Sequence, residues 1–165
     1  MRTRHLVVLG ALFLMAQARA ACVASDPIET ARWIHANERS FPFQQQGRDP
    51  TSKLKFLSKG LYSLLAAEWK CQDKEQGPCA LGADPWVDSN GGGEQPPFKF
   101  ELATSTQSSA TVRMSYRFAF NGPNDPKSSP AETRLEFVRD PSSGCWLLDN
   151  LVSRGGNSLK KTLEP

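Results

Sequence analysis

Hydrophobic and polar positions follow two different periods along this chain, and the period changes close to residue 97. Before that point the strongest pattern is a run of apolar residues at helical spacing, Leu54, Leu57, Leu61, Leu64, Leu65 and Trp69. After it, apolar and polar residues alternate, as they do in strands that bury one face. The pattern therefore predicts helices first and antiparallel strands afterwards.

Two helices are predicted. The first begins with Asp26 as the cap, Pro27 at the first helical position and Glu29 at the third, and should end near residue 40. The second should begin around Asp49 and continue past Trp69, with Gly60 interrupting it at a cost of about 1 kcal/mol. Residues 41–50 read as a connector between the two.

Residues 71–97 are rich in glycine, proline and aspartate, which favour turns, and predict a long loop. Four strands are then predicted, over residues 98–102, 112–120, 133–138 and 145–151. The apolar residues assigned to their inner face are Phe98, Phe100, Leu102, Val112, Met114, Tyr116, Phe118, Phe120, Leu135 and Phe137. The polar residues after Arg154 predict a frayed tail.

These elements predict an α+β domain, with two N-terminal helices packed on a curved antiparallel sheet of about four strands. The segments at 61–65 (LYSLL), 84–85 (DP) and 145–151 (CWLLDNL) resemble small exported bacterial domains of unknown function with a cystatin-like or nuclear-transport-factor-two-like cone. The resemblance covers about residues 25–152 and implies a pocket between sheet and helices. Enzymes of that superfamily carry Asp or His on the inner face, where this chain has apolar residues.

Residues 1–20 have the features of a cleavable export signal. Arg2 and Arg4 form a basic start, and residues 6–15 form an apolar run of about ten residues, too short for a membrane-spanning helix of about twenty. Ala18-Arg19-Ala20 places small residues where a signal peptidase reads them. We expect residues 21–165 to form a single secreted domain in the periplasm, with an ordered core over about 25–152.

All four cysteines lie after the signal, and an even number in an oxidising compartment predicts two disulfides. Cys71 and Cys79 bracket a short turn and are paired locally, which leaves Cys22 with Cys145. A lipid anchor on Cys22 is the alternative, because small residues precede it, but Arg19 stands where an apolar residue is expected. Zinc is a poor alternative, since no C-x-x-C is present.

Charge excludes some partners. Three of the 20 basic residues lie in the signal, whereas all 17 acidic residues follow it, so the secreted part is neutral. A neutral domain has no overall attraction to nucleic acid or to an anionic membrane. No later apolar run reaches membrane length, and no transmembrane segment is predicted.

Catalytic patterns are weak. G-x-S-x-G is missing, and His35 is the one histidine after the signal, on a helix face where packing is the commoner role. The loop from Asp84 to Glu94 contains three carboxylates but lacks the alternation of a calcium-binding loop, so ordinary turn chemistry is favoured. We predict no cofactor and no metal ion, and we expect the protein not to be an enzyme.

Binding is therefore the predicted function, and the leading hypothesis is an inhibitor of the immunity type that blocks a toxic enzyme of the envelope. Trp86 is interpreted either as a cover for the cone mouth or as an anchor for a partner. The candidate partner-binding residues are Trp86, Asp88, Asn90, Arg113 and Arg117. Two alternatives stay open: a carrier of a small hydrophobic ligand in a pocket beside Met114 and Tyr116, and a weak hydrolase built on Asp84, Asp88 or His35.

Overall fold

The computed structural model describes residues 22–43 and 50–165. The predicted export signal, residues 1–20, lies outside the described residues. The elements within these ranges are α1 (Pro27–Glu38), α2 (Pro50–Lys53), α3 (Lys59–Glu75), β1 (Gly93–Ser105), β2 (Ser109–Ala119), β3 (Ser129–Arg139), β4 (Trp146–Val152) and α4 (Leu159–Leu163).

The four strands form one antiparallel sheet in the order β1-β2-β3-β4, so each strand pairs with its neighbour along the chain. This confirms the α+β class and the four strands; the curvature and the cone stay predictions. Helices cover one face of the sheet. The buried residues that this face contributes to the core are Val112, Met114, Tyr116, Phe118, Leu135, Phe137 and Leu148.

Two residues assigned to the inner face are exposed. Leu102 is 45% exposed and Phe120 is 63% exposed. Leu102 lies on the edge strand β1, and its partner on β2, Val112, is fully buried, so the core covers β2 here but leaves the edge strand exposed. Phe120 follows the last residue of β2 and packs edge-on against Phe118, with ring centroids 4.8 Å apart. Alternation identified the strands, but it does not show how far the helices reach along them.

Helix α1 begins as predicted. The Asp26 carboxylate accepts a hydrogen bond from the backbone N–H of Glu29 at 2.9 Å, and Pro27 occupies the first turn. The cap satisfies one of the N–H groups that have no partner within a helix. The buried side chains Ala31 and Ile34 then anchor the helix to the sheet. It ends at Glu38, close to the predicted position.

The second predicted helix is two helices, α2 and α3, so the prediction of one continuous helix is wrong. Between them residues 56–58 run beside β4: Leu148 N–H donates to the Phe56 carbonyl at 2.7 Å, and Ser58 N–H donates to the Leu148 carbonyl at 2.9 Å. Pairing with the edge of the sheet overrides helical spacing here. Ser58 then caps α3 by accepting from Leu61 N–H at 3.1 Å. Gly60 lies in the first turn rather than mid-helix.

Helix α3 continues past Cys71 to Glu75, so the predicted loop begins later than expected. Both predicted disulfides are confirmed, Cys71–Cys79 across the end of α3 and Cys22–Cys145 between residues 123 positions apart. The buried Glu68 carboxylate accepts from the backbone N–H groups of residues 79–81 at 2.9–3.3 Å. Disulfide and carboxylate together fix the start of the following loop.

The tail is not frayed, because residues after Arg154 form α4. Ser158 caps this helix by accepting from Lys161 N–H at 3.3 Å. Leu159 is 2% exposed and Leu163 is 9% exposed, and both belong to the core. Because α4 follows the sheet, the helices are not confined to the N-terminal part as predicted. None of the described helices is both long and apolar enough to cross a membrane.

We expect the Leu159→Ala variant to lose about 2–4 kcal/mol of unfolding free energy, as other buried leucines do. The adjacent Lys160→Ala removes the ion pair from Lys160 Nζ to Asp149, 2.9 Å long and partly exposed, and should cost less than about 1 kcal/mol. Urea unfolding followed by tryptophan fluorescence measures both. Equal, small losses would show that α4 does not contribute to the core.

Candidate functional site

A group of ionisable side chains meets where the loop before β1 folds back onto α1. We call it the ion cluster: His35, Arg39, Asp84 and Glu94. Arg39 lies just beyond the end of α1, and its Nε and Nη2 donate to the two oxygens of Glu94, the second bond measuring 2.7 Å. Arg39 Nη2 also donates to Asp84 Oδ2 at 2.6 Å. A planar guanidinium suits such two-point pairing with a carboxylate.

Burial makes this pairing strong. The Glu94 side chain is 6% exposed, and that of Arg39 is 33% exposed. Burial by itself raises the pKa of Glu94, but contacts with His35 and Arg39 outweigh it and lower the pKa to about 2. Burial also opposes the charge on Arg39, yet its hydrogen bonds to Glu94 and Asp84 raise the pKa of the guanidinium further above its usual value. Both groups are therefore charged across the physiological range.

His35 lies inside this cluster among aromatic rings. Its ring centroid is 4.7 Å from that of Phe98, 5.6 Å from Trp86 and 5.8 Å from Phe100. Nε2 is buried without a hydrogen-bond partner in the described chain and lies 3.5 Å from a Glu94 oxygen. His35 therefore packs against aromatic side chains, as predicted from its position on the helix.

Trp86 belongs to the loop before β1, and its side chain is fully buried. Its indole N–H donates to the Arg39 carbonyl at 2.8 Å, and its own carbonyl accepts from the Thr133 hydroxyl at 2.6 Å. Of the two interpretations, burial favours the cover and removes Trp86 as an exposed partner anchor. The inner face is also less apolar than predicted, because Thr133 and Tyr116 place hydroxyl groups there.

The other candidate residues of this loop, Asp84, Asp88 and Asn90, differ in their surroundings. Asp84 Oδ1 accepts from Trp86 N–H at 2.9 Å, which is the turn chemistry predicted for Asp-Pro. Asp88 adopts a left-handed backbone with φ of 52° and accepts from Asn157 Nδ2 at 2.8 Å. Asn90 is exposed. Within the described residues, no three His, Cys, Asp or Glu side chains converge in a way that would hold a metal ion.

The remaining candidates, Arg113 and Arg117, lie on the face of the sheet opposite the helices, which we call the outer face. Arg113 Nη2 is 3.0 Å from Glu101 on β1, and Arg113 Nε is 3.9 Å from Glu132 on β3. Arg117 donates to the Ser128 carbonyl at 2.6 Å. The structure thus places Arg113 and Arg117 on the same face of β2.

Arg134, which alternation also places on the outer face, has a like-charged neighbour. Arg134 of β3 pairs in register directly with Arg113 of β2, and like charges at such positions repel. Among the described residues Arg134 makes no ion pair. An exposed, uncompensated cation beside a second cation is a surface that an acidic group would stabilise.

Two grooves in the described part of the chain lie away from the inner face of the sheet. One, of about 390 Å³, lies between the loop and α4 and is lined in part by Leu81, Asp84 and Asp88. Another, of about 420 Å³, lies between the segment that joins α2 to α3 and the β3–β4 turn. Met114 and Tyr116, where a carrier pocket was expected, are packed in the core at 0% and 3% exposed.

Sequence reasoning missed the central pair of the ion cluster. Arg39 and Glu94 are 55 residues apart, and each lies among polar residues typical of a loop or strand end. Arg39 and Glu94 come together only because the loop before β1 folds back onto α1. No spacing pattern in the sequence indicates this contact.

No known protein family matches this chain, and comparison with the curated proteins and with the solved structures returned no match either. The resemblance to cystatin-like and nuclear-transport-factor-two-like domains therefore stays a prediction.

Proposed function

We propose that this protein is a periplasmic binding domain of a Gram-negative bacterium that inhibits a toxic, envelope-acting enzyme, in the manner of immunity proteins. It docks through the outer face of the sheet onto an acidic surface of that enzyme. The observation that carries the proposal is the exposed Arg134, which lies in register beside Arg113 and makes no ion pair among the described residues, so that an acidic group of a partner would supply its counter-charge.

Two further features support binding over turnover. The ion cluster is engaged internally, since Arg39 joins Glu94 to Asp84 and His35 packs among three rings. Two disulfides hold the chain, which suits a rigid surface that binds without losing conformational freedom. Disulfides of this kind also persist in the periplasm and are rare in the cytosol. The export signal remains a prediction from the sequence.

The outer face can be tested by photo-crosslinking in intact cells. Ser115 lies at its centre on β2, paired with Lys99 on one side and Glu132 on the other. A photoreactive phenylalanine analogue at Ser115 should capture one envelope enzyme, which the purified domain then inhibits at equimolar concentration. The matched control carries the analogue at Lys70, which is exposed on α3. Absence of a light-dependent product at Ser115, the same products at both positions, or a captured protein that is not inhibited would each refute the proposal.

Replacing Arg134 should separate stability from binding. In Arg134→Thr the repulsion with Arg113 disappears and a strand-favouring residue enters, so unfolding free energy should stay level or rise by up to about 1 kcal/mol. Arg113→Thr also loses the ion pair with Glu101 and should be the less stable of the two. Urea unfolding measures both variants. A loss above about 1 kcal/mol in Arg134→Thr would mean that Arg134 is needed for the fold.

A further inference from the structure

The two edges of the sheet differ in whether another part of the described chain pairs with them. At β4 the edge is covered, because Leu57 forms a parallel bridge with Leu148. Strand β1 forms the other edge of the sheet, and no strand of the described chain pairs with its outer side. Such an edge presents unpaired backbone N–H and C=O groups that can template another strand.

The sequence at this edge is complementary to itself. Residues 98–102 read Phe-Lys-Phe-Glu-Leu, and antiparallel pairing of two copies centred on Phe100 sets Lys99 of each opposite Glu101 of the other. The same register sets each Phe98 opposite Leu102. Directly opposed residues lie on the same face, so the charges meet on the outer face and the apolar residues on the inner one.

Unsatisfied groups in the isolated chain fit this register. Leu102 is 45% exposed, which is unusual for a leucine on the side of the sheet that faces the core. Lys99 is exposed and makes no ion pair among the described residues, since its neighbour on β2 is Ser115. Pairing would give Lys99 a carboxylate and would cover Leu102 with an aromatic ring.

The neighbouring strand extends the charge pattern. Arg113 already lies 3.0 Å from Glu101. In the paired edge the outer row would read Arg113, Glu101 and then Lys99 of the second copy, so opposite charges alternate across the junction. Register shifts in β1 between Gln95 and Lys99 and between Leu102 and Thr104 flank the complementary segment and confine regular pairing to it.

We propose that the free edge of β1 binds a second copy of this chain, antiparallel and centred on Phe100. The result is a two-fold symmetric dimer with one continuous eight-stranded sheet. The second copy is the occupant because the segment matches its own reversed sequence in both charge and hydrophobicity. The interface leaves the outer faces of both subunits accessible, so it does not depend on the proposed inhibitor function.

Charge exchange tests the pairing, with sedimentation velocity across micromolar to millimolar concentrations of the disulfide-intact domain. The native chain should show a concentration-dependent dimer. Lys99→Glu and Glu101→Lys should each weaken dimerisation at least tenfold, because like charges become opposed. The double variant Lys99→Glu/Glu101→Lys should restore it, although the contact with Arg113 stays lost.

Lys70→Glu provides a matched charge control away from the edge, and urea unfolding confirms that each variant is folded. A native chain that remains monomeric throughout the range would overturn the proposal. So would a dimer that the single exchanges leave intact, or one that the double exchange fails to restore.

Discussion

Replacing Cys22 and Cys145 by Ala is expected to lower the unfolding free energy by about 4–5 kcal/mol, the largest loss of any change considered. This disulfide joins residues 123 positions apart, and closing so long a loop removes much of the entropy of the unfolded chain. A loss of this size is a large part of the stability of a domain of this length. Urea unfolding of the oxidised proteins measures it.

The second disulfide supplies the control. Cys71 and Cys79 are only 8 positions apart, so replacing both should cost about 2–3 kcal/mol. Native protein treated with reductant should show the combined loss. If the two double variants lost equal stability, loop closure would not be the source of the stabilisation. If the Cys22 and Cys145 variant were as stable as the native chain, that bond would not hold the N-terminal segment to β4.

Replacing Glu94 by Gln is expected to cost about 2–4 kcal/mol near neutral pH. It leaves the Arg39 guanidinium partly buried with Asp84 as its one remaining carboxylate in the ion cluster. The fall in the pKa of Glu94 from 4.5 to about 2 corresponds to about 3 kcal/mol, which agrees with that range. Thermal and urea unfolding at pH 7 measure the loss.

The same carboxylate predicts how stability depends on pH. Because its pKa is lower in the folded state, its contribution is complete above about 4.5 and is lost as the pH falls towards about 2. The native protein should therefore lose stability more steeply than Glu94→Gln across this window. Glu75→Gln, which changes a carboxylate 56% exposed at the end of α3, should keep the native profile. Parallel profiles for the native protein and Glu94→Gln would contradict the assignment.

Local signals in the sequence were sufficient for several elements. The Asp26 cap with Pro27 placed α1, and alternation placed the strands, because both depend on residues a few positions apart. The disulfides followed from the short spacing of Cys71 and Cys79, which left one pairing for the other two.

Long-range contacts account for the failures. No residue near Leu57 indicates that it lies beside Leu148 of β4. The helical spacing of the leucines therefore predicts one helix where the structure has α2 and α3. The tail did carry a local signal, since Ser158 can cap a helix and Leu159 and Leu163 are four residues apart. Its short length and polar surroundings hid that signal.

The residues of the candidate surfaces were likewise predictable only where a local pattern places them. Arg113 was found because alternation fixes which side of a strand a residue takes. Its like-charged neighbour Arg134 was recognised as such only from the register between β2 and β3. The ion cluster forms only because a loop brings Arg39 and Glu94 together across 55 residues. Such a contact leaves no periodic pattern in the sequence.

The central claim is that this domain acts by binding through its outer face, and affinity for the enzyme captured at Ser115 tests it most directly. Calorimetry should compare the native chain with Arg134→Glu and with Lys70→Glu, which makes the same charge change on α3. We predict that Arg134→Glu weakens binding at least tenfold, or about 1.4 kcal/mol, while Lys70→Glu stays within about twofold. Equal affinities for all three folded proteins would contradict the claim.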